Sequence, residues 1–273
     1  MCKYLRYEPS WENREDTGSG FPHASGGSFF TELTKIPLKQ MPFEMRNTYR
    51  IYFLLWMKIL LVASACTTTK YGGYPGHWWK EIPRMEAKWW EVLPQDAQVG
   101  EVVLSKRNEL GILSHFAHTP FLFEGKQYES VEGFWQMLKF PEDEDDPRRA
   151  FIQIKWNYTR QEVAKLYSFE ALYVGKKADE NMERMGINWV SYKGQKMAYN
   201  EPLKGELYKL IRSVMWAKLR QNKNVQRVLL ETKNLKLIPD YKMKLDTPPV
   251  FKYHKMWMEI RDEVIANPQL LEK

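Results

Sequence analysis

The stretch "YESVEGFWQMLKF", Tyr128 to Phe140, decides how the rest of the chain is read. Val131, Phe134, Trp135 and Leu138 stand at i, i+3, i+4 and i+7, the spacing of one apolar helix face. Glu132, Gln136 and Lys139 stand at i, i+4 and i+7, so acid, amide and amine form a second row along the same helix. Such a row is commonly an ordinary wet face. The alternative is the floor of a pocket. Glu132 and Lys139 are two turns apart and would flank something rather than pair.

Working outward, "TPFLFEGKQYES" (Thr119–Ser130) places short β-prone runs on either side of Glu124-Gly125, the signal of a hairpin. "PEDEDDPRR" (Pro141–Arg149) is an acidic loop bounded by prolines. It lacks the glycine and the spacing of a calcium loop, which leaves a solvated turn. Thr159 and Glu162 form a T-x-x-E capping box that starts a helix near Arg160. A helical run follows from Phe169 to Met185, stopped by Gly186. The longest helix is expected over Gly205–Arg220, with Leu207, Leu210, Ile211 and Val214 facing the core. Asn224 is a candidate cap for a short helix carrying Val225, Val228 and Leu229. A last helix is expected around Lys255–Ile265. The predicted class is mainly α with a small β-hairpin element (α+β), in a domain over residues 100–273.

The amino-terminal third differs. Residues 1–44, with "DTGSGFPHASGGS" (Asp16–Ser28), lack the apolar area that offsets ordering entropy. A flexible or untranslated extension is expected. In "MRNTYRIYFLLWMKILLVASAC" (Met45–Cys66), Arg46 and Arg50 precede an apolar run from Ile51 to Ala65, interrupted by Lys58. Small residues then lead to Cys66. Basic, apolar and small segments in that order describe a secretory signal, here of the bacterial lipoprotein type. That places the protein in the cell envelope or periplasm with a lipid anchor on Cys66. The alternatives are a buried or interfacial helix and a cytoplasmic protein. Residues 67–99 read as a tether rich in tryptophan. Trp78, Trp79, Trp89 and Trp90 are too apolar to stand free, and wrapping over the main domain is the expected use.

Composition bounds the chemistry. The chain has 273 residues, 44% hydrophobic, enough for a sizeable core. Lys and Arg number 41 against 34 Asp and Glu, and the +7 balance favours anionic partners without a concentrated basic run. Cys2 and Cys66 cannot supply a disulfide framework or a multi-cysteine zinc site. No close metal-ligand spacing, GxGxxG or Walker loop occurs, so neither metal nor cofactor is expected.

Leu110–Phe140 resembles the NADAR family, also called YbiA-like. Its pattern runs S-N-F, then D-G-K, then S-x-E-H-x-x-Q-x-x-K-F. Ser114 and Phe116 match the first element, Gly125 and Lys126 the second, and Ser130, Glu132, Gln136, Lys139 and Phe140 the third. "GINW" (Gly186–Trp189) resembles the family's central tryptophan segment. "MWAKLRQNKNVQRVLLET" (Met215–Thr232) resembles its M-x-x-A-x-x-x-K-F-x-Q-N helix. The chain departs from the pattern at His115, where the family has Asn, and at Gly133, where it has His. A glycine in a helix suits close approach by a ligand or backbone.

The resemblance implies an N-glycosidase or ADP-ribosyl hydrolase. Its substrates would be N-linked ribosides: ADP-ribosylated guanine, a phosphoribosylamino-pyrimidine, or ADP-ribosylated nucleic acid. Breaking an N-glycosidic bond builds positive charge at ribose C1, a role for the Glu132 carboxylate. Lys139 is the candidate for a Schiff base with the opened sugar, provided its pKa is lowered. Gln136 is assigned to the ribose hydroxyls. Trp189 is assigned to the base or to the core, Ser114 and Phe116 to substrate binding, and His115 to phosphate or base contact or to a structural role. Lys218 is assigned to a phosphate or to helix stapling. Two other readings stand beside this one: a non-catalytic module binding ADP-ribose or a nucleotide, and an envelope interaction protein.

Overall fold

The computed structural model describes residues 72–272. The expected extension over 1–44, the signal segment 45–66 with Cys66, and the first residues of the tether lie outside the described residues.

The architecture is α+β; among the described residues helices dominate and strands occur only in pairs. β1 (Glu101–Val103) pairs in parallel with β6 (Lys236–Ile238), and β2 (Phe121–Phe123) pairs antiparallel with β3 (Lys126–Tyr128). β4 (Trp189–Tyr192) pairs antiparallel with β5 (Gln195–Ala198). The turns of both hairpins place two consecutive residues at positive φ: Glu124 and Gly125 at 49° and 76°, Lys193 and Gly194 at 50° and 76°. That geometry matches the right-handed twist of the flanking strands. The first hairpin is the expected one, and the second adds to it.

The helices are α1 (Val131–Met137), α2 (Arg160–Val163), α3 (Ser168–Arg184), α4 (Glu206–Gln221), α5 (Lys223–Glu231) and α6 (Tyr253–Ala266). α1 lies at the centre, packed against α2, α3 and α4. All seven of its residues are buried. The capping box at Thr159 and Glu162 forms in both directions at the start of α2. Two details of the helix reading change. α3 has 17 residues and α4 has 16, so among the described residues the longest helix is α3. The cap of α5 is Asn222, with Asn224 inside the first turn. The Asn222 amide instead donates to the Lys218 carbonyl at 2.8 Å and the Pro120 carbonyl at 3.1 Å.

The boundary drawn at residue 100 falls inside a unit that runs from Gly73 onward. Trp78 is fully buried and its indole N–H donates to Glu109 Oε1 at 2.6 Å. Trp79 donates to the Glu101 carbonyl, tying the aromatic segment to β1. Trp89 remains 67% exposed.

The acidic loop is only partly solvated. Asp146 is buried and takes a two-pronged ion pair from Arg148, Nε at 2.9 Å and Nη2 at 2.7 Å. Arg148 has no exposed surface and also donates to the Leu138 carbonyl and Ser191 Oγ. The sequence reading, a solvated turn, holds for Asp143, Glu144 and Asp145, which are exposed.

Candidate functional site

α1 is built to hold its polar row in place. Ser130 caps it: its Oγ accepts from the Gly133 amide at 2.8 Å and donates to the Leu166 carbonyl at 2.9 Å. The Glu132 amide, one of the orphan donors of a helix start, donates to the His115 carbonyl at 3.0 Å. At the far end Arg148 and Arg160 converge on the Leu138 carbonyl, and Arg160 also holds the Phe140 carbonyl at 2.9 Å. Cations at a helix carboxyl end are well placed. Lys139 sits between the two carbonyls so held.

The row is buried rather than wet. Glu132 is 6% exposed, Gln136 2% and Lys139 1%. Gln136 Nε2 donates to Glu132 Oε1 at 2.6 Å. Lys139 does not reach Glu132 as a partner; its Nζ pairs with Asp179 of α3 at 2.8 Å and lies 5.4 Å over the Tyr199 ring. Burial pushes the Glu132 carboxyl above the ordinary range, against the pull of Gln136, Lys139 and Lys106. Burial also works against the charge on Lys139, but Asp179 and Tyr199 outweigh it, and the ammonium is held above the ordinary lysine value. The condition for a Schiff-base lysine, a lowered pKa, is therefore not met at Lys139.

Two glycines explain how the helices come so close. A Cβ at Gly175 of α3 would overlap the Gln136 amide. A Cβ at Gly133 would overlap the Leu166 carbonyl oxygen and stand 3.0 Å from that of Val163. The departure from the family pattern at Gly133 thus belongs to helix packing, with backbone as the close neighbour.

The Ser114–Phe116 element forms a strap. Lys218 Nζ donates to the carbonyls of Ile112 and Ser114 at 2.7 and 2.9 Å. Trp257 Nε1 donates to the carbonyl of Leu113 at 2.6 Å. The carbonyls of His115 and Phe116 take the amides of Glu132 and Ser168. Every carbonyl from Ile112 to Phe116 is thus bound by another element. Lys218 is fully buried and faces main-chain oxygens, which favours stapling over phosphate contact. Burial pulls its pKa down to about 7. Desolvation and Lys218 pull the half-buried His115 down to about 3; its Nε2 is buried and has no hydrogen-bond partner among the described residues, and the Tyr253 ring lies 5.1 Å away. Phe116 packs edge-on against Phe169 with the Lys106 ammonium 5.1 Å from its ring.

Trp189 is half-buried. The Arg148 guanidinium lies 4.8 Å and the Lys196 ammonium 4.3 Å from its ring centre, so cations rather than a bare cavity meet its ring. The sequence reading missed Asp179 and the Lys106–Asp240 pair at 2.6 Å, both within electrostatic reach of the Glu132 row. No local pattern marks either. Among the described residues no cluster of His, Cys, Asp and Glu fit to hold a metal ion occurs, and no helix is long and apolar enough to cross a membrane.

No family model and no curated protein matches this chain. Among solved structures, the chain is similar to the NMR structure of the E. coli protein YbiA. The TM-score is 0.39 and the identity 16%, over 60% of this chain and 83% of that one. At that distance the likeness carries no weight for activity.

Proposed function

We infer that the described unit hydrolyses an N-glycosidic bond of an N-linked riboside, with Glu132 as the acid–base group. The observation that carries this is the Glu132 carboxyl itself. It is nearly dry, fixed by Gln136, and neighboured by two lysines. A carboxyl whose pKa is raised by burial suits proton transfer, and its ionised form suits a developing sugar cation. As the C1–N bond breaks, its electron pair leaves with the base and positive charge gathers at ribose C1. Water then adds to C1; Glu132 takes the proton it releases and hands it to the nitrogen of the departing base, which regenerates the carboxylate. The resemblance of the Ser114–Phe140 and Met215–Thr232 blocks to the NADAR pattern supports the same class. Lys139 serves as a fixed cation beside the carboxylate.

Glu132→Gln tests the reading. Hydrolysis of an ADP-ribosylated guanosine should fall by about 10²- to 10⁴-fold. The acid limb of the wild-type rate should lie above the ordinary carboxylate range, because ionisation of Glu132 is delayed. Full activity in Glu132→Gln sinks the assignment. A second reading, binding without turnover, is favoured by the firmly charged state of Lys139. Calorimetry showing ADP-ribose uptake with no base released would select it. The lipid anchor on Cys66 is a separate part of the proposal. Mass spectrometry of the native protein should find Cys66 as a lipid-modified first residue; an unmodified Cys66 within a longer chain overturns it.

A further inference from the structure

An open cleft of about 290 Å³ lies between α3 and the loop that precedes α2. Its lining is basic: Lys155, Lys177 and Arg184 against a single carboxylate, Glu180. Lys177 pairs with Glu180 at 3.1 Å and lies 5.8 Å from the Tyr173 ring centre, and an ion pair of such exposed groups contributes little. Among the described residues no ion pair engages Lys155 or Arg184.

The walls are fixed before any ligand arrives. Asn181 of α3 donates to the Lys155 carbonyl at 2.9 Å, pinning the loop to the helix. Trp156 packs edge-on against Phe140, with ring centres 5.4 Å apart. Tyr158, 37% exposed, offers an aromatic ring beside the cations. A basic groove with an adjacent ring is the arrangement that tracks phosphates and stacks bases.

We propose that this cleft binds phosphate groups, those of a nucleotide or of a single nucleic-acid strand. It is lined by Phe140 and Ala178, the chain neighbours of the Lys139–Asp179 pair. It does not depend on Glu132 being catalytic.

The probes are AMP and a labelled thymidine strand of about 10 nucleotides, titrated into the full chain by anisotropy and calorimetry. If the three cations neutralise three phosphates, strand affinity should drop about 20-fold between about 50 and 200 mM salt. The double variant Lys155→Glu/Arg184→Glu, at exposed positions, should weaken binding by roughly tenfold or more and flatten the salt slope. Glu132→Gln should bind as the wild type does, which separates this site from the hydrolytic one. AMP bound as tightly as the strand assigns a nucleotide; a strand bound roughly tenfold more tightly assigns nucleic acid. Failure of both probes to bind, or a double variant that binds like the wild type, overturns the proposal.

Discussion

Glu132 pays for its position in hydration, since a carboxyl lacking water is costly to ionise. Glu132→Gln keeps the hydrogen bond from Gln136 and removes that cost. Its melting temperature should therefore hold or rise while activity is lost, the usual sign of a site that trades stability for chemistry. Lys218 shows a related effect from the opposite charge. A neutral amine has two N–H donors, enough for Ile112 and Ser114. With its folded pKa at about 7 and an unfolded value near 10.4, the unfolded chain binds the extra proton in between. Stability should then rise between about pH 7 and pH 10, by at most about 1.4 kcal/mol per unit, relative to Lys218→Met. Urea titrations of both proteins across that range check it, and parallel curves contradict it. The polar row at Glu132, Gln136 and Lys139 was legible because helical spacing alone aligns it. Its burial was not, because α3, which covers Gln136 through Gly175, lies far along the chain.

At the scale of elements, α1 is a short helix with no wet side, wedged against α2 and α3. Gly133→Ala would drive a methyl group into the main-chain oxygens of Leu166 and Val163, which cannot swing aside. Overpacking of this kind costs about 1–3 kcal/mol, and chemical denaturation should show it; an unchanged midpoint would mean α2 yields. The helices were readable from period and caps, as at Thr159 and Glu162. The hairpin at Glu124-Gly125 was readable from its turn. The hairpin at Lys193-Gly194 shares that turn chemistry, but its strands mix polar and apolar residues and give no clean alternation. The β1–β6 pair had no local signal, since Glu101 and Lys236 are separated by 135 positions.

For the molecule as a whole, buried charge holds distant parts together. Arg148 joins the end of the acidic loop to Leu138 and to Ser191 of β4. Asp146→Ala would strand that guanidinium without its counter-ion, at about 3–5 kcal/mol. Burial alone would raise Asp146, but Arg148 and two main-chain amides hold it at about 2. The pair's contribution is thus complete above the ordinary aspartate value, near 3.9, and disappears as pH falls through about 2. Acid unfolding of the wild type, compared with Asp146→Ala, measures it; equal stability at neutral pH would refute it.

The strap from Ile112 to Phe116 has a consequence for biosynthesis. Its tethers, Glu132, Ser168, Lys218 and Trp257, are spread along most of the chain that follows. A growing polypeptide leaves the ribosome with these carbonyls unclaimed, and the last is secured only when Trp257 emerges. The site around Glu132 is therefore completed late in translation, and nascent chains halted before α6 should stay open to proteases at residues 112–116.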